Sequence, residues 1–147
     1  MLKFYCKPFE DLSVKELYAI LSLRSEVFVV EQNCVYQDVD KLDQKALHIF
    51  GIKNGHLIAY ARIFKPGDYF DQASIGRVVV KKEERKHEYG HDLIAYTIDF
   101  IHTSLDESII KLSAQTYLRK FYESHGFKKI GKDYLEDGIP HIAMLKE

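Results

Sequence analysis

Tryptophan is absent, proline occurs three times and cysteine twice, and neither sign of charge dominates. Each shortage removes a class of function. Cys6 and Cys34 are too few for a disulfide framework or a thiolate metal cluster. Twenty-one basic residues stand against 22 acidic ones, a formal net charge of -1. There is thus no basic excess to hold nucleic acid and no lysine-rich amphipathic face for a membrane surface. No apolar run approaches the ~18 residues of a spanning helix. The opening Met1-Leu2-Lys3-Phe4-Tyr5-Cys6 lacks the apolar core of a signal peptide. With no repeat and no linker-like stretch, residues 1–147 are expected to form one domain, in a reducing, cytoplasmic compartment.

What is present is periodic. Leu2, Phe4 and Cys6 alternate with polar neighbours as a strand does. Ser13 and Glu16 spell a capping box, so a helix is expected from Val14 into the twenties. It should give way near Val27-Phe28-Val29-Val30, whose β-branched side chains suit a helix end poorly. The acidic stretch from Gln37 to Asp43 reads as a solvated loop lining an entrance. Asp38-x-Asp40-x-x-Asp43 opens like a calcium loop, but Ile49 stands where the bidentate glutamate belongs. Two strands, Leu47–Lys53 and Leu57–Phe64, follow across an Asn54-Gly55 turn. Ile75–Val80 is nearly all apolar, as in a strand buried on both faces. A helix is expected from Gly90, then a strand over Ile109–Ala114. A further helical face carries Leu118, Phe121, Tyr122 and His125, stopped by Gly126. Two last strands complete the order β-α-β-β-β-α-β-α-β-β, a mixed α/β class.

Most chemistry is concentrated between Val78 and Ile94. An apolar strand runs into a charged turn, and Gly90 opens an amphipathic helix. Turn N–H groups and a helix N-terminus converging on one spot suit a pyrophosphate. The same stretch contains His87-Glu88-x-x-His91, the spelling of a zinc-hydrolase helix. Six charged residues, Lys81 to Arg85 and Lys86, precede it, and Gly90 interrupts it, neither of which suits a buried zinc helix. An anion cradle and a zinc helix are the alternatives. Cys34 has no paired histidine in the sequence and reads as a small buried hydrophobe.

With the elements placed, the chain resembles the GNAT family of N-acetyltransferases along nearly its full length. Val80, four residues, then Arg85-Lys86-His87-Glu88-Tyr89-Gly90 follow that family's acetyl-CoA signature, with Glu88 in place of the first glycine. Glu88 puts a Cβ where the backbone needs positive φ, and a negative charge near the pyrophosphate. Tyr122-Glu123-Ser124-His125-Gly126-Phe127 matches the second signature, and Gln115 stands where an Asn is usual. Arg24, Val27 to Asp40, Gly76-Arg77-Val78 and Glu136 to His141 are similar to the ElaA-like branch.

The resemblance implies a mixed, mostly antiparallel six- or seven-stranded sheet, splayed at its centre with helices on both faces, the acyl-CoA N-acyltransferase fold. It implies acetyl-CoA as cosubstrate and no metal. Val78, Val79, Val80, Arg85, Lys86, His87, Glu88, Tyr89, Gly90, His91 and Gln115 would hold it. Tyr122 would protonate the leaving thiolate and Glu31 would deprotonate the amine, with His48 and His141 as other candidate bases. Arg24, His48, Arg77 and His141 would shape the acceptor site. The acceptor would be a small-molecule or peptide amine, and the protein a monomer or homodimer. A noncatalytic acyl-CoA-binding module of the same fold is the alternative from another class.

Overall fold

The computed structural model describes Met1–Glu147 throughout. Strands β1 (Leu2–Pro8), β2 (Leu47–Lys53), β3 (His56–Phe64), β4 (Ala73–Val80), β5 (Ile110–Gln115), β6 (Lys128–Glu136) and β7 (Ile139–Lys146) form one sheet. Its order is β1-β2-β3-β4-β5-β7-β6. Every pairing is antiparallel except β4 with β5. Helices α1 (Val14–Arg24), α2 (Tyr89–Ser104) and α3 (Arg119–Glu123) flank it. None is long and apolar enough to cross a membrane.

The sheet's alternation sorts its side chains to two faces. On one, Ile49, Ala59, Ala61 and Val80 pack with Leu93, Ile94 and Ile101 of α2. On the other, Phe50, Tyr60 and Val79 pack with Ile20 and Leu23 of α1 and with Val27. The α1 capping box forms as expected: the Ser13 hydroxyl accepts the Glu16 N–H at 3.0 Å, and Glu16 accepts the Ser13 N–H at 2.9 Å.

One expectation is corrected here. The helix does not give way at Val27; it continues as a wider π-helical coil over Ser25–Glu31. Packing of the Val27 side chain into the core outweighs the weak intrinsic preference of a β-branched residue. π-Helical insertions recur at functional sites, and this one carries Phe28, Glu31 and Gln32 to the sheet's centre.

The centre is where the sheet opens. Pairing of β4 with β5 is confined to Ala73–Ile75 against Ile110–Leu112. Immediately beyond, β4 shifts register against β3 between its Gly76 and Val79 pairings. Arg77, in that interval, has φ of 49°. An extra residue bends the strand that carries it, so β4 diverges from β5 after Gly76 and leaves a gap.

Candidate active site

The backbone lining the gap is aimed by strand alternation. Lys81 donates its N–H to the Ile58 carbonyl of β3 at 2.8 Å. Successive N–H groups of a strand point to opposite sides, so those of Val80 and Val78 face away from β3, into the gap. Two cavities meet there. One, about 430 Å³, runs along Val78–Val80 to Arg85, Glu88, Gly90 and His91. The other, about 100 Å³, runs past Gly76 and Arg77 to Ser113, Glu136 and His141. Phe28, Gln32, Val78, Gln115, Leu118 and Tyr122 border both.

Tyr122 stands at that junction, 5% exposed. Gly126 at φ 92° ends the short helix behind it and turns the chain so that Phe127 packs beside the Tyr122 ring. Burial pushes the phenol pKa up, which keeps its proton in place at neutral pH. Across the gap, the Gln115 amide donates to the Gln32 side-chain oxygen at 3.3 Å, tying β5 to the π-helical coil.

At the larger cavity's far end, Glu88 adopts φ 58°, the left-handed conformation a glycine takes without cost. It ends the 3₁₀ turn Lys82–His87 and precedes the first turn of α2. Arg85 is held on all three nitrogens: Nε donates to the Val80 carbonyl at 3.0 Å, and the two terminal nitrogens donate to Glu31 at 2.6 and 2.8 Å. The Arg85 hydrogen bonds and charge hold the Glu31 carboxyl below its usual range. It also borders only the larger cavity.

Other expected donor-site residues divide by position. Val79 turns its side chain under α1, leaving only backbone for the groove. Lys86 and His87 are exposed, and Tyr89 lies under the Lys53 ammonium, 5.1 Å from the ring centroid. None of these three side chains lines either cavity. His87 and His91 do not share a helix, since the left-handed Glu88 separates the 3₁₀ turn from α2. The i, i+4 geometry that would make the motif a zinc site is therefore missing. His91 instead meets His125, nitrogen to nitrogen at 2.9 Å.

The acceptor expectations split as well. Arg77 and His141 line the smaller cavity. Arg24 and His48 are fully buried and line neither. Arg24 pairs with Asp38 at 2.8 Å and Asp43 at 2.7 Å. The His48 ring stands between the Tyr60 hydroxyl (2.6 Å) and the Asp43 carbonyl (2.9 Å), and burial lowers its pKa. Both are scaffold. The acidic stretch is corrected with them: rather than a solvated loop, it folds back into a balanced cluster of Arg24, Arg62 and Arg77 with Asp38, Asp40 and Asp43. Burial disfavours the Asp40 carboxylate, but two hydrogen bonds and the charge of Arg62 prevail and hold its pKa at about 2.

Glu136, Ser113 and Gln32 border the site and are not among the expected site residues. Glu136 and Gln32 fall within segments that carry the family resemblance, but that resemblance gives neither a role.

Comparisons with known proteins agree with this architecture. The acetyltransferase (GNAT) domain family matches residues 10–147. Protein ElaA of Escherichia coli is 45% identical over 139 residues, covering 93% of this chain and 91% of its own. Its crystal structure superposes with a TM-score of 0.91 over 100% of both chains. A Pseudomonas aeruginosa structure described as an acyl-CoA N-acyltransferase gives 0.95 at 41% identity, again over 100% of both. The chain belongs to the GNAT family and has the acyl-CoA N-acyltransferase fold.

Proposed function

We propose that this protein transfers an acetyl group from acetyl-CoA to a primary amine, by direct attack of the amine on the thioester. The observation that carries the reading is the meeting of the two cavities at Tyr122. The larger one suits the donor. Unpaired N–H groups of Val78 and Val80 can take the amide groups of the pantetheine arm, as an added strand would. The turn around Glu88, the start of α2 and Arg85 suit a pyrophosphate. The terminal Arg85 nitrogens each carry a second N–H beyond those given to Glu31. The Glu88 carboxylate opposes the pyrophosphate and must point outward.

The smaller cavity suits the amine. An amine of ordinary pKa near ~10 arrives as ammonium and must lose a proton before attack. As nitrogen bonds to the thioester carbon, the carbonyl oxygen gains negative charge, which a backbone N–H near Val78 would stabilise by donating a hydrogen bond. Collapse of the adduct expels the CoA thiolate, and Tyr122 donates the proton it takes up. The acceptor is read as a small-molecule or peptide amine, with Arg77 and His141 bordering it.

The decisive variant is Tyr122→Phe, which keeps the ring packed against Phe127 and removes only the acid. Turnover should fall ~10²–10⁴-fold, the usual cost of losing a positioned general acid. The rise in melting temperature on adding acetyl-CoA should remain, because it reports binding to the native state alone. If the wild type shows that rise and yet acetylates no amine in a broad panel, the protein is a noncatalytic acyl-CoA-binding module. Unchanged turnover of the variant, measured where chemistry limits the rate, would return Tyr122 to the core.

A further inference from the structure

We propose that His141, with Glu136 beside it, takes the proton from the acceptor's ammonium group. The proposal rests on the transferase reading above and deepens it. His141 lies on β7 opposite Gln115, the last residue of β5, and so beside the junction of the two cavities. Its Nδ1 is 2.7 Å from the Ile139 carbonyl oxygen. A carbonyl can only accept, so Nδ1 carries the hydrogen and the neutral ring presents a lone pair at Nε2. That nitrogen stands 3.5 Å from a Glu136 carboxylate oxygen. A proton taken up at Nε2 would lie between the imidazole and that carboxylate, in an imidazolium–carboxylate pair.

The surroundings hold the two groups in that relation. The Tyr134 ring stacks on His141, with centroids 6.1 Å apart. The Tyr134 hydroxyl is hydrogen-bonded to Ser113, whose own hydroxyl reaches the other Glu136 oxygen at 3.4 Å. Three strands thus fix one carboxylate and one imidazole. The side chains differ in access: His141 is 10% exposed and Glu136 43% exposed. A cationic amine would meet the carboxylate first and the imidazole behind it. The other charged or titratable groups on this cavity are Arg77 from β4, paired to Asp38 and Asp40, Asp137 from the β6–β7 turn, Tyr122 from α3, and Cys34 and Tyr36 from across the gap. Of the two types of unpaired acceptor among them, an imidazole is ordinarily a stronger base than a carboxylate.

The protons balance. The ammonium gives one to His141 Nε2, which returns it to solvent after turnover. Attack forms the carbon–nitrogen bond, and cleavage of the carbon–sulfur bond releases the thiolate, protonated by Tyr122. The second nitrogen proton, lost as the amide forms, restores the Tyr122 phenol.

The test compares wild type, His141→Gln and Glu136→Gln with acetyl-CoA and two acceptors, n-butylamine and the less basic glycinamide, from pH 6 to pH 10. His141→Gln should lower kcat/KM for n-butylamine ~10²–10⁴-fold near neutrality. The loss should shrink toward pH ~10, where the free amine no longer needs a base, and should be smaller throughout for glycinamide. Glu136→Gln should chiefly raise the KM of both ammonium acceptors and alter the acidic limb of the kcat/KM profile. The acetyl-CoA melting shift should stay at the wild-type value in both, which also checks that they fold. Should His141→Gln not fold, the exposed Glu136 variant reads the same pH profile. A His141→Gln or Glu136→Gln profile superposable on wild type overturns this assignment and leaves the transferase intact. A wild type that binds acetyl-CoA and acetylates neither these two amines nor any other in a broad panel overturns both.

Discussion

Two charged systems border the groove, and they are built in opposite ways. Beside the smaller cavity, three arginines and three aspartates form a network whose deepest members, Arg24 and Arg62, have side chains 0% and 2% exposed. At the far end of the larger cavity a single bidentate pair, Arg85–Glu31, has side chains 41% and 28% exposed. The contacts are of similar length, 2.5 to 2.9 Å for the five shortest pairs of the network and 2.6 Å for the Arg85–Glu31 bridge. Distance therefore does not separate them; burial does. A buried charge that loses its partner is left without water, so the network acts as scaffold. An exposed pair exchanges its partner for water at little cost, and so can surrender Arg85 to an incoming anion.

The largest consequence is for stability. Arg24→Ala leaves buried Asp38 with only Arg77 as a cationic partner and buried Asp43 with only Arg62, and should cost ~3–5 kcal/mol, read as a lower midpoint in urea. If the loss were below ~1 kcal/mol, water would be reaching the network and the contrast would collapse.

Acid should dissect the same network. Arg62 pairing outweighs burial and depresses the folded pKa of Asp40 from 3.8 to about 2. Asp43 shifts the same way, with burial again opposed by Arg24 and Arg62. A depressed carboxylate pKa contributes stability that is complete above the unfolded value and is lost as pH falls through the folded one. Burial lowers the His48 pKa below 6.5, which removes stability by the same sign as pH drops below that value. The melting temperature should therefore begin to decline below pH ~6.5 and fall further between pH ~4 and ~2. A flat profile over that window would mean that these groups titrate alike in folded and unfolded chains.

Along the larger cavity effects are smaller. Glu88→Gly removes a side chain from a left-handed position, a conformation worth roughly 1–2 kcal/mol of strain in other residues, offset by roughly 0.5–1 kcal/mol of added chain entropy. We expect a gain of about 1 kcal/mol or less, together with tighter acetyl-CoA binding as the opposing carboxylate goes; weaker binding would show that Glu88 supports the turn. Glu31→Gln should move stability by ~0–1 kcal/mol. Its difference from wild type should vanish in ~1 M salt, where screening reaches only about 3 Å. The Arg24→Ala deficit should persist in the same salt, and equal salt sensitivity in both would break the comparison.

Much of the fold is legible in the sequence. Ser13 and Glu16 announce α1, Asn54-Gly55 the β2–β3 hairpin, and Tyr122 with Gly126-Phe127 the short helix and its stop. Each of these obeys a rule that operates over a few residues, so the local sequence suffices. Gly90 and the Glu88 substitution marked the turn before α2 for the same reason.

What tertiary structure alone decided involves residues that are neighbours only after folding. Asp38 bonds Arg24, 14 positions back, and Arg77, 39 positions on. In the sequence Asp38 sits in an acidic run that looks solvated, and nothing local says that two arginines converge on it and a third on Asp40 and Asp43. Arg24 and His48 looked like site residues because their types suit chemistry, yet the fold buried both. The π-helical coil at Val27 and the bulge at Arg77 both border the groove, and neither is announced by local sequence. Glu136 and His141 lie five positions apart on either side of a hairpin turn, and β-pairing against Gln115 sets them at the mouth of the gap. The sequence by itself determined the elements and the family, because periodicity and turn chemistry are local. Which charges became scaffold and which stayed free for chemistry was decided by burial, a property of the whole chain.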